Sequence, residues 1–209
     1  MFGIHDLTLF IVSGLLLNVM PGPDSLLIMA RSATQGWRAG SAAALGIGAG
    51  TMVHVLAAAI GLSALLATSA AAFTAVKWIG AAYIVYVGIA LLRSKPARAA
   101  AAAPAPLPYR KIFFQGFLTN VLNPKVAIFF LAFVPQFIAA DAPNKALAFI
   151  VLGCIFNVNG MLWCHALALF TAFASTRLQL KPRVTAWLGR AAGGLFIALG
   201  LKLALSKPN

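Results

Sequence analysis

Gly14-Leu-Leu-Leu-Asn18-Val-Met-Pro21-Gly22-Pro23-Asp24 returns at an offset of 102 as Gly116-Phe-Leu-Thr-Asn120-Val-Leu-Asn123-Pro124-Lys125. Each copy is an apolar run that stops at proline beside a charged residue. Proline removes an amide donor and clashes with the preceding turn, and Gly22 relaxes the backbone, so both runs should break there. A second match follows in the same order: Trp78-Ile79-Gly80 is answered by Trp187-Leu188-Gly189 at an offset of 109. Two ordered matches read as an internal duplication. The competing explanation is chance similarity between Gly- and Ala-rich helices.

The medium around these runs follows from composition. Of 209 residues, 62% are hydrophobic and 9% charged, and the mean hydropathy is +0.94. Soluble domains average roughly 45–50% apolar and about 25% charged. In lipid the backbone must satisfy itself, which leaves helices or a closed barrel. The apolar runs are long and lack the alternation of barrel strands. The chain therefore reads as an all-α integral membrane protein with six transmembrane helices, at roughly 5–29, 40–67, 70–92, 112–138, 145–173 and 185–205. Six spans of about 20 residues consume roughly 120 residues, close to the number of apolar residues that 62% of 209 provides, so little is left for an extramembrane catalytic or nucleic-acid module.

The N-terminus has no Lys or Arg from Met1 to His5 and no evident cleavage site, so it reads as mature sequence and not as a signal peptide. Residues 93–111 form an Ala/Pro-rich basic linker carrying Arg93, Lys95, Arg98, Arg110 and Lys111. It separates a first three-helix repeat, 1–92, from a second, 112–209. The formal net charge of +13 comes from 16 Lys and Arg against three Asp. Eleven of the cations fall in segments after spans one, three and five, and four on the other side. The positive-inside tendency then puts the linker in the cytoplasm and both termini outside. Such a balance orients a membrane protein and does not call for nucleic acid.

A repeat of three spans enters the membrane from the opposite face each time, so the two units should be inverted. Inverted repeats with broken helices are typical of secondary transporters, whose sites lie near the midplane between the repeats. The broken first and fourth helices leave backbone groups that only protein or a water-filled cavity can satisfy. Asn18, Pro21, Gly22, Pro23 and Asp24 in the first, and Asn120, Asn123, Pro124 and Lys125 in the fourth, are accordingly the candidate substrate-binding residues. A plain proline kink is the bland reading of either break alone. Asp24 is the one carboxylate placed deep in a span, since Asp6 and Asp141 lie near ends, and Lys125 is its cationic counterpart. Intramembrane charges are costly and by default functional. The two should approach one another, directly or through water, either to take substrate and proton or merely to pin the broken helices.

These positions also carry a resemblance. Asn18-x-x-Pro21-Gly22-Pro23, Gly36-x-x-x-Gly40, Lys77-Trp78-x-Gly80-Ala81-Ala82-Tyr83, Asn120-x-x-Asn123-Pro124-Lys125 and Pro135-Gln136-Phe137 resemble the lysine exporter superfamily, RhtB type, over the whole chain. The resemblance implies a bacterial inner-membrane exporter of amino acids or their derivatives, homoserine, threonine and leucine among them, driven by the proton motive force. It names no single substrate.

His54 and His165 are candidate proton-relay groups, with hydrogen-bonded packing as the alternative. Asn157 and Asn159 stand between substrate contact and interhelical bonding. Gly46-Ile-Gly-Ala-Gly50 and Gly189-Arg-Ala-Ala-Gly193 permit close helix approach within the chain or across a homodimer face. Cys154 and Cys164 on one helix would be about 15 Å apart, too far for a disulfide. No metal or cofactor motif and no nucleophile–base pair is present. An ion or metal-ion permease or channel is the alternative function, though one deep carboxylate is a poor ligand set for a hard cation; a non-catalytic membrane subunit is the third.

Overall fold

The computed structural model describes residues 2–62 and 106–177, with isolated positions at 78, 82, 85, 86, 89, 93 and 201. Apart from those isolated positions, the expected spans 70–92 and 185–205, and most of the linker, lie outside the described residues. Within them the chain is helical: α1 (Leu7–Val19), α2 (Pro23–Gln35), α3 (Trp37–Ala57), α4 (Tyr109–Val121), α5 (Pro124–Ile128) and α6 (Lys145–Arg177). A wide turn at Ala58–Leu62 extends α3, and Phe129–Phe133 with Val134–Phe137 extends α5.

The prolines set the joints. A residue before proline is driven out of the helical region into extended backbone, and Met20, Gly22 and Asn123, each preceding a proline, are all extended. As a result α1 and α2 meet at 54°, and α4 meets the α5 segment at 47°. Pro23 and Pro124 then open α2 and α5 at the first helical position, where a missing amide costs least. The next residue is the charge, Asp24 or Lys125. Among the described residues two helices, Trp37–Gly61 and Lys145–Ala174, are long and apolar enough to cross a membrane unbroken, and each bent pair adds one more if counted as a single span.

Two boundaries differ from the sequence reading. No helix breaker lies between Asp24 and Gln35, so α2 runs past position 29 and stops at Gly36, whose φ of 81° is left-handed backbone that glycine adopts without strain. Arg31 is thus no loop residue. It is buried in α2 and donates to Gln115 Oε1 of α4 at 3.0 Å and to Gln35 Oε1 at 3.4 Å. Likewise Pro108 starts α4 at Tyr109, so Arg110 and Lys111, expected at the linker's end, sit in a helix's first turn.

Small residues carry the crossings, as they must where no hydrophobic effect drives helices together in lipid. A Cβ at Gly46 would strike the Phe113 backbone of α4, one at Gly116 the Ala43 backbone of α3, and one at Gly48 the Met161 sulfur at 2.6 Å. Gly50 abuts Phe117 and Asn120. The Gly46–Gly50 motif is therefore spent inside the chain. Around these crossings lie two apolar clusters. One is aromatic, built on Phe10, Phe129, Phe130, Phe137 and Phe156, with Phe129 and Phe156 centroids 4.7 Å apart. The other is finer grained, with Ile28, Ala43, Ile47, Ile112 and Ala168. The outer faces stay apolar, with Val12, Leu26, Leu45, Leu118, Leu162 and Phe170 all exposed.

Candidate functional site

Where the two clusters meet, both helix breaks face one cavity of about 30 Å³, lined by Asn18, Asp24, Thr51, Asn120, Lys125 and Asn157 among others. Its chemistry follows from counting backbone partners. A helical carbonyl accepts from the amide four residues on, and at position 21 that amide is missing, so Pro21 frees the carbonyl of Leu17. The carbonyl of Met20 lies at the break itself. Lys125 Nζ donates to both, at 3.1 Å and 3.3 Å. A cation also suits the negative end of the α1 dipole.

The second break repeats the logic. Pro124 cannot donate to the carbonyl of Asn120, which instead accepts from Asn123 N at 2.9 Å and lies 3.0 Å from His54 Nε2. Asn123 caps α5 by accepting from Lys125 N at 3.0 Å. That bond fixes its amide so that Nδ2 donates to Asp24 Oδ2 at 3.1 Å, and Asn120 Nδ2 donates to the same oxygen at 2.9 Å. Thr51 Oγ1 lies 3.3 Å from Asn120 Oδ1 and 3.1 Å from the Ile47 carbonyl, its one hydrogen serving either.

The breaks are crossed: the charge of each is held by polar groups of the other. Asp24 and Lys125 approach one another on this cavity, but of the two arrangements open to them, direct or through water, the direct ion pair is not formed: no contact within 4 Å joins them. The reason is proximity of better-placed partners, since freed carbonyls surround the ammonium and two amides converge on the carboxylate. Asp24 Oδ1 and Asn18 Nδ2 are buried with no protein hydrogen-bond partner. Pro21, Pro23 and Pro124 are exposed and act by shaping backbone. Gly22 keeps room beside the ammonium, since a Cβ there would stand 3.3 Å from Lys125 Nζ.

His54 joins this network through the Asn120 carbonyl and borders a separate cavity of about 220 Å³ with Ala127 and Phe130. His165 is not brought to it. Its Nδ1 pairs with the Met161 carbonyl at 2.8 Å, and it lines another cavity of about 480 Å³ along α6 that, among the described residues, shares only Asn157 and Met161 with the first. Cys154 is exposed, Cys164 is buried against the central cavity, and neither is bridged. Thr51 and the Arg31–Gln115 contact were not singled out from sequence. A hydroxyl following the Gly46–Gly50 run was the available signal for the former.

Residues 15–207 match the family described as LysE type translocator. The chain belongs to that family. It is a multi-pass membrane transporter and not an enzyme. An uncharacterized membrane protein of Pseudomonas aeruginosa, PA4757, is 31% identical over 211 residues, covering 97% of this chain and 96% of its own length. A leucine efflux protein of Salmonella typhimurium is 26% identical over 204 residues, covering 97% and 96%. The uncharacterized membrane protein YrhP of Bacillus subtilis is 29% identical over 211 residues, covering 97% and 100%. No solved structure matches the chain.

Proposed function

We propose that this translocator exports an amino acid or amino-acid derivative across the bacterial inner membrane by proton antiport, using two inverted three-helix repeats, 1–92 and 112–209, joined by a cytoplasmic linker, with both termini outside. The crossed arrangement at the breaks carries the reading. It sets one carboxylate and one ammonium, each held by neutral groups, on a shared cavity, which is a complementary pair for a zwitterion. Asn18, Pro21, Gly22, Pro23, Asp24, Asn120, Asn123, Pro124 and Lys125 form the site, with Asp24 taking the substrate ammonium or the coupling proton. His54 and His165 are the further proton candidates. Membership of a translocator family and a relative named for leucine efflux support the cargo class.

The cavity's 30 Å³ holds about two waters, well short of the roughly 300 Å³ of ligand-sized sites. This form is therefore closed around its charges, and the cargo enters only when the two bent helices part, as alternating access requires. The test is to overexpress the chain in bacteria and quantify amino acids in the medium. A specific amino acid should accumulate with the wild type and not with Asp24→Asn at equal membrane abundance. Equal accumulation with both removes Asp24 from the mechanism.

A further inference from the structure

The Leu17 and Met20 carbonyls form a small receptor for a primary ammonium. Both point from the open end of α1, both lack a helical amide partner, and they accept from one Nζ at 3.1 Å and 3.3 Å. The receptor is fitted in size: position 22 bears no side chain, and one methyl there would reach within 3.3 Å of that nitrogen. Its present occupant is covalently attached. Lys125 belongs to the other break, and its own backbone amide is anchored to Asn123 at 3.0 Å, so only the flexible four-carbon arm ties the ammonium to this place.

We infer that Lys125 is a tethered stand-in for the cargo, its ammonium filling the subsite that the amino group of the transported molecule occupies in turn. This rests on the efflux reading and deepens it. With the closed site empty, leaving two buried carbonyls without donors would cost free energy, and the lysine supplies them. When cargo arrives, its ammonium takes the two carbonyls, which leaves Asp24 the second of its two proposed roles, the coupling proton, and the displaced lysine ammonium is free to meet the cargo carboxylate. One cation replaces another on the carbonyls and no bond is made or broken, so closure around cargo and closure without it satisfy the same backbone groups. The selectivity that results is for an unhindered ammonium with at least two N–H groups, because each of the two carbonyls needs one.

Lys125→Ala removes three methylenes and the ammonium, the equivalent of propylammonium. In the purified full-length protein, n-propylammonium chloride should raise the unfolding midpoint of Lys125→Ala by several degrees above tetramethylammonium chloride at equal concentration, because the latter has no N–H. The wild type, its subsite filled, should respond alike to the two salts. An identical response of variant and wild type, or no preference between the salts, overturns the proposal. If the variant does not survive extraction, its abundance in membranes of cells grown with either salt gives the same reading: recovery with propylammonium alone supports the subsite, and equal recovery or none refutes it. Once a cargo is identified by efflux, it should stabilise Lys125→Ala where its desamino analogue does not; equal effects of the two refute the shared use. Loss of the efflux reading would leave the propylammonium result standing, so the two failures are distinguishable.

Discussion

Asn123 does two jobs with one amide. Its oxygen caps α5 and its nitrogen holds Asp24, so a single rotamer couples the start of a half-helix to the position of a carboxylate. Asn123→Ala should cost about 1 kcal/mol for the cap and about 1.5–3 kcal/mol more for the hydrogen bond to a charged group. Asn123→Ser should recover the cap share alone. Unfolding midpoints in detergent should therefore rank wild type, Ser, Ala. Ser and Ala variants of equal stability would show that the cap contributes nothing. Arg31 makes a parallel case away from the breaks: Gln115→Leu deprives a buried guanidinium of an acceptor 3.0 Å away and should destabilise by roughly 1–3 kcal/mol, read by the same midpoint.

At the scale of elements, the joints are proline backbone chemistry and the crossings are glycine packing, and the two respond differently to mutation. Pro21→Ala restores the amide that the Leu17 carbonyl lacks, which competes with Lys125 Nζ for that carbonyl. It should impair efflux more than folding, seen as normal membrane abundance with reduced export. Gly46→Val instead meets the Phe113 backbone, which cannot rotate away, and overpacking of this kind costs about 1–3 kcal/mol or more. Loss of membrane-inserted protein is expected, and normal abundance would deny the crossing. Both joints were legible in sequence because Pro21, Pro23 and Pro124 restrict their own residues and the ones before. The length of α2 was not, because buried Arg31 looks like a loop cation until Gln115, 84 positions on, is seen beside it. For the same reason the charges of Asp24 and Lys125 predicted an approach, direct or through water, without deciding between the two. Only the fold shows that each has nearer partners from the opposite break, and that Thr51 stands behind Asn120.

For the whole molecule, orientation rests on cation distribution and the apolar outer faces. The linker around Pro104 should lie in the cytoplasm and the C-terminus outside, so reporter fusions at Ala102 and after Asn209 should report opposite sides; the same side for both would refute the topology. Alternating access asks more of the molecule than topology does. Under the proposed antiport the two bent helices would separate around the crossed charges and close again, and the coupling proton would change the state of a group at that junction. Asp24 is the titratable acid there, and Asn keeps its size without its proton. The decisive measurement is amino-acid accumulation by everted membrane vesicles under an imposed proton gradient, wild type against Asp24→Asn at matched abundance. Gradient-driven accumulation is expected in the wild type and none in Asp24→Asn; wild-type accumulation by Asp24→Asn with an unchanged pH profile would contradict a coupling role for Asp24.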